Sequence, residues 1–525
     1  MGRSWKEVSP DLTRNEKAKQ GKGGGPFTNE AVGAENYGTL AYVIESPHEK
    51  GVIWTGSDDG YVQVTRDGGA TWNNVTPPGL QECLINAIEV SPHDKATAYI
   101  ATTRYKFNDH RPGLYKTTDY GKTWTAINTG IAPNAFTRVV REDEVRRDLL
   151  FAGTELGTYL SWNGGANWVP FQLNLPVTPI TDLKIHKGNL IAATSGRSFW
   201  VLDDLSLVRQ YKANGDSINL FQPDNVLQVT GGSPLNGNGS DGTNPYMGVN
   251  PATGLVLYYH LPELKADEDI TLEIKDAAGK PVRTLTSKKD STFVGYPGGP
   301  GPEPVLPKSK GLNRFVWNLR YPTLPGIPTA YMEASFAGHR AVTGKYSATL
   351  IAGGKTIAKD FSIVANPLNP QKPADEKQYH ETLAAMEADL TAMHTMVNSL
   401  HQKRLQLDLL LAKIPADTKY DALKKEGKAL SDSLKAWDES MVQRKSKAYD
   451  DVENFPNKFT ADYLYMMNQT ENDIALITQP TLDLEKELDG KWEVLKQKGM
   501  KMMDTDIPGL NKKLFDAGIG AIWMK

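Results

Sequence analysis

The segment of residues 102–113 concentrates polar side chains of the kinds that bind ligands. They are Arg104, Tyr105, Asp109, His110 and Arg111. The guanidinium groups bind carboxylates through paired hydrogen bonds, the phenol ring can stack, and the imidazole titrates near neutral pH. This set would suit a sugar acid or a peptide terminus, and a solvated polar loop is the alternative. We predict a contact loop, because the segment is longer than its counterparts and long loops often carry recognition.

A second set of charged side chains stands in other turns: Asp58, Asp59, Glu155 and Arg197. Asp58 and Glu155 are the candidates for catalysis, because a glycosidase uses two carboxyl groups about 5 to 9.5 Å apart. They belong to different structural repeats, so the sequence does not establish that they meet. Solvent-facing turn acids are the alternative, and the catalytic residues of the chain stay unknown at this stage.

An internal repeat determines how these residues are positioned. The segment Thr65-Arg-Asp-Gly-Gly-Ala-Thr-Trp72 returns at residues 117–124 and again at 161–168, with Trp spacings of 52 and 44 residues. Each copy has a hydroxyl-x-acid-x-Gly-x-x-Trp pattern, which we call a box. The box positions are Thr65, Asp67, Gly69, Trp72, Thr117, Asp119, Gly121, Trp124, Ser161, Asn163, Gly165 and Trp168. Such a period is typical of one four-stranded β-propeller blade.

The chemistry of the box is structural. An Asp side chain accepts hydrogen bonds from nearby backbone amides in a hairpin turn, Gly supplies a permissive φ, and Trp packs between neighbouring sheets. We therefore interpret Asp67 and Asp119 as turn fasteners. Asn163 keeps the acceptor and loses the charge, so we expect a weaker turn there.

Strand patterns upstream of the boxes predict which face recognises ligands. Apolar alternation predicts two strands before each box, as in residues 51–56 and 61–65, and a fourth unit at residues 180–204 has no box. The boxes should mark the face away from the ligand, and the loops between second and third strands should form the recognition face.

The first residues resemble the back half of a box and its outer strand, Gly2-Arg-Ser-Trp5 followed by Val8-Ser-Pro10. About four blades and one additional strand cannot close a ring, and an open propeller exposes sheet edges. We predict that missing propeller blades are supplied in cis, with this chain the C-terminal part of a longer protein, or by another chain.

Composition excludes several classes of function. The net charge is −3, from 59 basic and 62 acidic residues, so no global field favours nucleic acid. Cys83 is the one cysteine and we interpret it as a core residue. No stretch of 18 apolar residues predicts a membrane span, and the polar first residues do not form a signal peptide. No cofactor or metal is predicted, although His394 and His401 are seven residues apart.

The composition changes twice along the chain. We predict propeller blades over residues 1–210, a linker over 211–250, a β-sandwich of immunoglobulin or fibronectin type over 251–366, and an antiparallel helical bundle over 367–525. Apolar residues at alternating steps of three and four support the first helix: Leu383, Met386, Leu390, Met393, Val397 and Leu400. Pro415, Pro456 and Pro480 separate the later helices.

With the boxes and the additional half-box, residues 1 to about 210 resemble the BNR/Asp-box propellers of the sortilin-like superfamily, whose bacterial members are often named glycosyl hydrolases. The phrases Ser195-Gly-Arg-Ser-Phe-Trp-Val-Leu-Asp-Asp204 and Gly311-Leu-Asn-Arg-Phe-Val-Trp-Asn-Leu-Arg-Tyr-Pro322 are similar to large secreted bacterial proteins with tandem propellers. The resemblance implies a secreted, periplasmic or cell-surface location.

Function stays open between three classes. The preferred class is a secreted or cell-envelope propeller protein that binds a peptide or glycan, and on this interpretation the chain is not an enzyme. The second is a glycoside hydrolase, exo-sialidase-like or glucanase-like, with part of its site in the missing blades. The third is a structural subunit of an envelope complex. The cysteine-rich module that follows the sortilin propeller is absent, and no sialidase arginine triad can be assigned.

Overall fold

The computed structural model describes residues 4–20, 37–211, 217–229, 252–472 and 474–522. Two compact units divide the chain, Met1–Tyr211 and Lys212–Lys525. Gly2 and Arg3 of the predicted half-box lie outside the described residues, as does most of the predicted linker.

The first unit consists of consecutive antiparallel sheets in which each strand pairs with the next along the chain. The first three sheets have four strands and the fourth has three. The first sheet contains β1 (Leu40–Glu45), β2 (Ile53–Ser57), β3 (Val62–Thr65) and β4 (Asn73–Asn74). The second contains β5 (Leu84–Val90), β6 (Ala98–Arg104), β7 (Asp109–Thr117) and β8 (Thr125–Ala126). The third contains β9 (Thr137–Glu142), β10 (Leu150–Thr154), β11 (Gly157–Ser161) and β12 (Val169–Pro170). The fourth contains β13 (Ile180–His186), β14 (Asn189–Thr194) and β15 (Phe199–Leu202), and helix α1 (Ser206–Gln210) follows.

The first strands of consecutive sheets contact one another, β1 with β5, β5 with β9 and β9 with β13. Their apolar side chains form two cores, one around Trp54 and Ile88 and one around Phe151 and Leu183. Gly56 lies against Ile85 of the next sheet, and Gly153 lies against Ile180 in the same way. A side chain at either glycine would overlap these residues, which explains why glycine stands near the end of β2 and of β10.

Repeated hydrogen bonds between sheets show that the sheets run in the same direction. His48 Nε2 lies 2.9 Å from the carbonyl oxygen of Ser91, and His93 Nε2 lies 2.7 Å from that of Asp143. Each histidine follows a Ser-Pro pair, Ser46-Pro47 or Ser91-Pro92, in the turn between the first and second strands of a sheet. The box turns lie at this end of the sheets, which we call the box end. The turns between second and third strands lie at the opposite end, the loop end.

The second unit begins with two sheets that share one core, with Trp317, Tyr259 and Phe361 among its buried side chains. A three-stranded sheet contains β16 (Asn219–Leu220), β18 (Leu255–Leu261) and β21 (Gly311–Trp317). A five-stranded sheet contains β17 (Val226–Leu227), β19 (Thr271–Asp276), β20 (Pro281–Thr286), β22 (Gly344–Ala352) and β23 (Lys355–Val364). Two of these strands, β16 and β17, lie within residues 211–250, which were expected to be a linker. They form there because each pairs with a longer strand of the unit.

The rest of the second unit is helical, as the heptad spacing predicts. The helices are α2 (Pro373–Lys413), α3 (Asp421–Met441), α4 (Phe459–Thr470), α5 (Gln479–Lys501) and α6 (Ile507–Asp516), with a π-helical stretch between the last two. The apolar residues that recur at steps of three and four along α2, which we call its seam, are buried, including Met386 and Met393 at 0 % exposure. These methionines are therefore core residues. Antiparallel sheets followed by a helical region are confirmed as the fold class.

Candidate functional site

At the box end, each acidic box side chain is held by hydrogen bonds within its own turn. Asp67 accepts from the amide of Thr71 at 2.8 Å, from the Thr71 hydroxyl at 2.6 Å and from the Thr65 hydroxyl at 2.8 Å. These bonds, that of the Thr71 hydroxyl first, lower the pKa of Asp67 to about 2. Asp119 makes the same contacts with Thr123 and Thr117.

The third box differs in one bond. Asn163 accepts from the amide of Asn167 at 3.0 Å and from the Ser161 hydroxyl at 2.8 Å. Position 167 carries no hydroxyl, so the hydroxyl bond that Asp67 and Asp119 receive from the fourth following residue has no counterpart. The turn geometry is therefore retained with fewer acceptor contacts.

The tryptophans of the boxes connect consecutive sheets. The indole N–H of Trp124 donates to the carbonyl of Val75 at 2.7 Å, and that of Trp168 donates to the carbonyl of Ile127 at 2.6 Å. Trp72 donates in the same way to Val8 at 3.0 Å. Each acceptor lies three residues after the preceding tryptophan, and Val8 is three residues after Trp5.

The glycines at the fifth box positions make room for these contacts. A Cβ atom at Gly69 would lie 2.4 Å from the carbonyl oxygen of Val8, and one at Gly121 would lie 2.7 Å from the Cβ of Val75. Both have positive φ, which L side chains rarely adopt. The box residues therefore fasten the turns and the neighbouring sheets, and their polar atoms are occupied.

At the loop end, Asp58 and Asp59 hold chain segments in place. Asp58 accepts from the amides of Gly38 at 3.0 Å and Thr39 at 2.8 Å. Burial raises the pKa of Asp58, whereas each of these hydrogen bonds lowers it by a smaller amount. Asp59 is fully buried and accepts from the amide of Arg14 at 2.7 Å and from the Ser57 hydroxyl at 2.5 Å.

An open cleft of about 500 Å³ lies beside the turn between β6 and β7. Its charged side chains are Arg104, Asp109 and Arg111, three of the five predicted contact residues. The Arg111 guanidinium donates one hydrogen bond to each oxygen of Asp109, both at 2.8 Å, and Arg104 Nε donates to the same carboxylate at 3.2 Å. The hydrogen bond from Arg111 is the largest of the causes that hold the pKa of Asp109 well below its usual range. Two guanidinium groups thus meet one carboxylate, which leaves the trio with a net positive charge.

The two arginines differ in how freely they could meet a ligand. The Arg111 side chain is 76 % exposed, whereas that of Arg104 is 20 % exposed and donates to the carbonyl of Glu82 at 2.7 Å. Tyr115 and Gln81 also line the cleft. Arg111 is therefore the accessible cation and Arg104 the anchored one.

The segment of residues 102–113 is more regular than the expected loop. The strand β6 extends to Arg104, a short 3₁₀ turn covers Tyr105–Phe107, and β7 begins at Asp109. Pairing of Arg104 with Asp109 extends the hairpin because these side chains also form an ion pair across it. The insertion therefore lengthens two strands, and the polar side chains sit on a paired backbone.

A cluster of rings and charges borders the other side of this hairpin. Tyr105 stacks on Phe136 with ring centroids 5.3 Å apart, and His110 lies 5.9 Å from the same ring. Arg138 covers Phe136 at 5.2 Å and pairs with Glu155 at 2.7 Å. The structure thus connects Tyr105, His110 and Glu155 through two residues that the sequence analysis did not select.

Arg197 lies in another turn of the first unit. It lies in the turn between β14 and β15, its amide donates to the Thr194 hydroxyl at 3.1 Å, and its side chain is exposed. It is not among the residues that line the cleft.

A buried guanidinium joins the first strands of all four sheets. Arg141 on β9 donates to Leu183 O at 2.8 Å, Val140 O at 3.0 Å, Glu89 Oε2 at 3.4 Å, the Tyr42 hydroxyl at 3.2 Å and Asp182 Oδ1 at 2.7 Å. All five N–H donors of the side chain are used, so this group binds the sheets together and has none left for a ligand. Burial raises the pKa of Glu89 to about 7, although Arg141 lowers it.

Within the described residues, no group of three or more His, Cys, Asp or Glu side chains could hold a metal ion. The three histidines of α2 have other contacts. His380 lies 2.8 Å from His339, and His394 Nδ1 lies 2.6 Å from the carbonyl of Pro325. His401 is 3.7 Å from Asp438. In the part of the chain that the structure covers, no helix has the length and apolar character needed to cross a bilayer.

No family model and no curated protein matches this sequence. Several solved structures are similar over part of the chain. YCF48 with a bound D1 peptide shares 19 % identity over 31 % of this chain and 50 % of its own, with a TM-score of 0.26. YCF48 from Cyanidioschyzon merolae shares 18 % identity over 43 % of this chain and 67 % of its own, with a TM-score of 0.25. The GH74 xyloglucanase from Xanthomonas campestris shares 13 % identity over 45 % of this chain and 37 % of its own, with a TM-score of 0.26. The chain thus spans about half of the first of these proteins.

Proposed function

We propose that the first unit is a binding module whose loop-end cleft takes a carboxylate group, from a peptide terminus or a sugar acid. The observation that carries this proposal is the meeting of Arg104 and Arg111 at one carboxylate, Asp109, in an open cleft. The arginines exceed the carboxylate by one charge, and the more exposed one is held in a fixed orientation. A guanidinium oriented in advance loses less side-chain entropy when it binds an anion.

The surroundings of the cleft support a ligand larger than a carboxylate alone. Tyr115 and Asn128 line the cleft with polar atoms suited to hydroxyl or amide groups.

Binding is favoured over hydrolysis by the state of the carboxylates. A glycosidase needs one carboxyl group that releases or accepts a proton and one that attacks or activates water. Glu155 is paired with Arg138, Asp109 is paired with two arginines, and Asp58 accepts two backbone amides at one oxygen and the Thr39 hydroxyl at the other. A hydrolase with part of its site in further blades remains the rival hypothesis.

We further propose that these sheets belong to an Asp-box β-propeller of the sortilin-like type, acting in the cell envelope or outside it. Three indole contacts of one kind connect consecutive sheets, and residues 4–10 stand in the place of an outer strand. Trp5 is 94 % exposed, whereas Trp124 and Trp168 are shielded by these contacts. A further sheet, in cis or from another chain, would shield Trp5 in the same way.

The test compares carboxylate ligands with their neutral counterparts. We would measure calorimetric binding of glucuronic acid against glucose, and of short peptides with free against amidated C-termini, to the full chain and to Arg111→Gln. The acid forms should bind more tightly, and the substitution should weaken them about tenfold, because a charge-assisted hydrogen bond contributes about 1.5 to 3 kcal/mol. Lys106→Gln, an exposed cation in the same turn, is the matched control and should change little.

A further inference from the structure

A groove in the second unit lies between the edge strand β20 and the proline-rich segment of residues 300–305. Its volume is about 820 Å³, and its walls include Thr284, Thr286, Lys289, Phe293, Glu303 and Val305. The strand β20 is the last strand of the five-stranded sheet and pairs with β19 on its other side. The groove therefore runs along a sheet edge.

The hydrogen bonds of the edge strand show which of its backbone groups face the groove. The amide of Ser287 donates to Ile270 on the β19 side, so alternate residues, Arg283 and Leu285, also face that neighbour. Thr284 and Thr286 must then face outward. The carbonyl of Thr286 accepts from the amide of Leu306 at 3.0 Å.

That contact shows that the edge already accepts an extended backbone at one position. Val305 forms a parallel bridge with Thr286, and the preceding residues 300–304 line the groove. Within the described residues, no hydrogen bond is present for the outward amide of Thr284. The groove thus presents the outward amide of Thr284 two residues from Thr286, which already pairs with residues 305 and 306.

The charges of the groove favour an acidic occupant. The Glu303 carboxylate accepts from Arg283 and from the amide of Thr323, and Asp290 accepts from Thr292. Lys289 is exposed, and no ion pair is described for it among the residues that the structure covers. The groove is thus lined by three cations, Arg283, Lys288 and Lys289, against the two acids Glu303 and Asp290, which leaves it one positive charge in excess.

We propose that this groove binds an extended peptide that carries carboxylate side chains, by adding it as a strand to β20. Main-chain bonds to Thr284 supply the register, and Lys289 selects for acidic residues at one end. Strand addition to an open sheet edge is an established mode of peptide recognition, in which main-chain bonds give affinity and side chains give specificity. The proposal does not depend on the cleft of the first unit.

The experiment uses the full chain and a fluorescein-labelled heptapeptide, Thr-Glu-Val-Thr-Val-Glu-Thr, with blocked termini. Fluorescence anisotropy should show saturable binding, and replacement of both Glu by Gln should weaken it. Thr284→Pro removes the outward amide and should reduce affinity about tenfold, whereas Thr284→Val keeps the amide and should bind within about twofold of the parent. Lys289→Gln should weaken the Glu peptide and leave the Gln peptide unchanged.

Two measurements separate loss of the site from loss of the fold. Circular dichroism melts should be alike for Thr284→Pro and Thr284→Val, since proline is tolerated on an edge strand where its nitrogen faces outward. In the unsubstituted protein, hydrogen exchange at Thr284 should slow when the peptide is added. Absence of saturable binding at millimolar peptide, or equal binding by a version N-methylated at alternate amides, would overturn the proposal.

Discussion

Replacing Glu89 by Gln should remove a pH dependence from the stability of the first unit. Glu89 lies on β5, its side chain is 16 % exposed, and Arg141 is its nearest cation. Burial raises the pKa of its carboxyl from 4.5 to about 7, against the opposing effects of Arg141 and Lys184. The protonated form is therefore favoured by folding.

The sign and the size of this pH dependence follow from the linkage between proton binding and folding. Because the folded pKa is above the unfolded value, the stabilisation is complete below pH 4.5 and is lost as the pH rises through 7. A rise of the Glu89 pKa from 4.5 to about 7 corresponds to a loss of about 3 kcal/mol in the free energy of unfolding between those two pH values. Gln is neutral at every pH and still offers an oxygen to Arg141, so Glu89→Gln should be more stable than the parent at pH 8 and similar to it at pH 4.5.

Hydrogen exchange with mass spectrometry on the full chain reports this locally. Opening free energies of amides in β5 and β9 should fall by about 3 kcal/mol between pH 4.5 and pH 8 in the parent, and stay level in Glu89→Gln. Glu144→Gln, which changes an exposed carboxyl of the same unit, is the control and should behave as the parent. An unchanged slope in Glu89→Gln would refute the assignment of this titration to Glu89.

Three further outcomes are expected. Trp124→Phe removes the indole donor to Val75 and should lower the free energy of unfolding in urea by about 1 kcal/mol, whereas Trp5→Phe should have no effect because Trp5 is exposed. Burial raises the pKa of the Cys83 thiol to about 12, so a thiol reagent at pH 8 should label it only after unfolding, and rapid labelling of the native protein would contradict this. Burial lowers the pKa of His394, so the stability of the helical region should fall as the pH drops below 6.5, and His394→Phe should flatten this dependence in a circular dichroism melt series.

Local sequence patterns predicted the elements whose contacts are local. Each box places its hydroxyl, acid and glycine within eight residues, so the turn that holds Asp67 could be deduced from spacing alone. The seam of α2 was visible for the same reason, since apolar residues three and four apart share one face of a helix. The short strand β16 was not visible, because two residues carry no periodicity and the pairing with β18 decides its structure.

Long-range contacts account for what the sequence analysis missed at the site. Phe136 directly precedes β9 and Arg138 lies within it, and both look like ordinary residues of a strand in the sequence, yet they connect Tyr105 to Glu155. Arg141 likewise gains its partners only when four sheets meet. The repeated Ser-Pro-His phrase was noticeable, but the carbonyl that His48 contacts lies in the next sheet and could not be inferred.

We propose above that Arg111 and its fixed neighbours bind a carboxylate. The most direct measurement is a calorimetric titration of one peptide in two forms, with a free and with an amidated C-terminus, and of glucuronic acid with glucose as its neutral partner, into the parent and Arg111→Gln. At least one acid form should bind more tightly than its neutral partner, and Arg111→Gln should remove most of the difference. Equal binding of acid and neutral forms by the parent protein would contradict it.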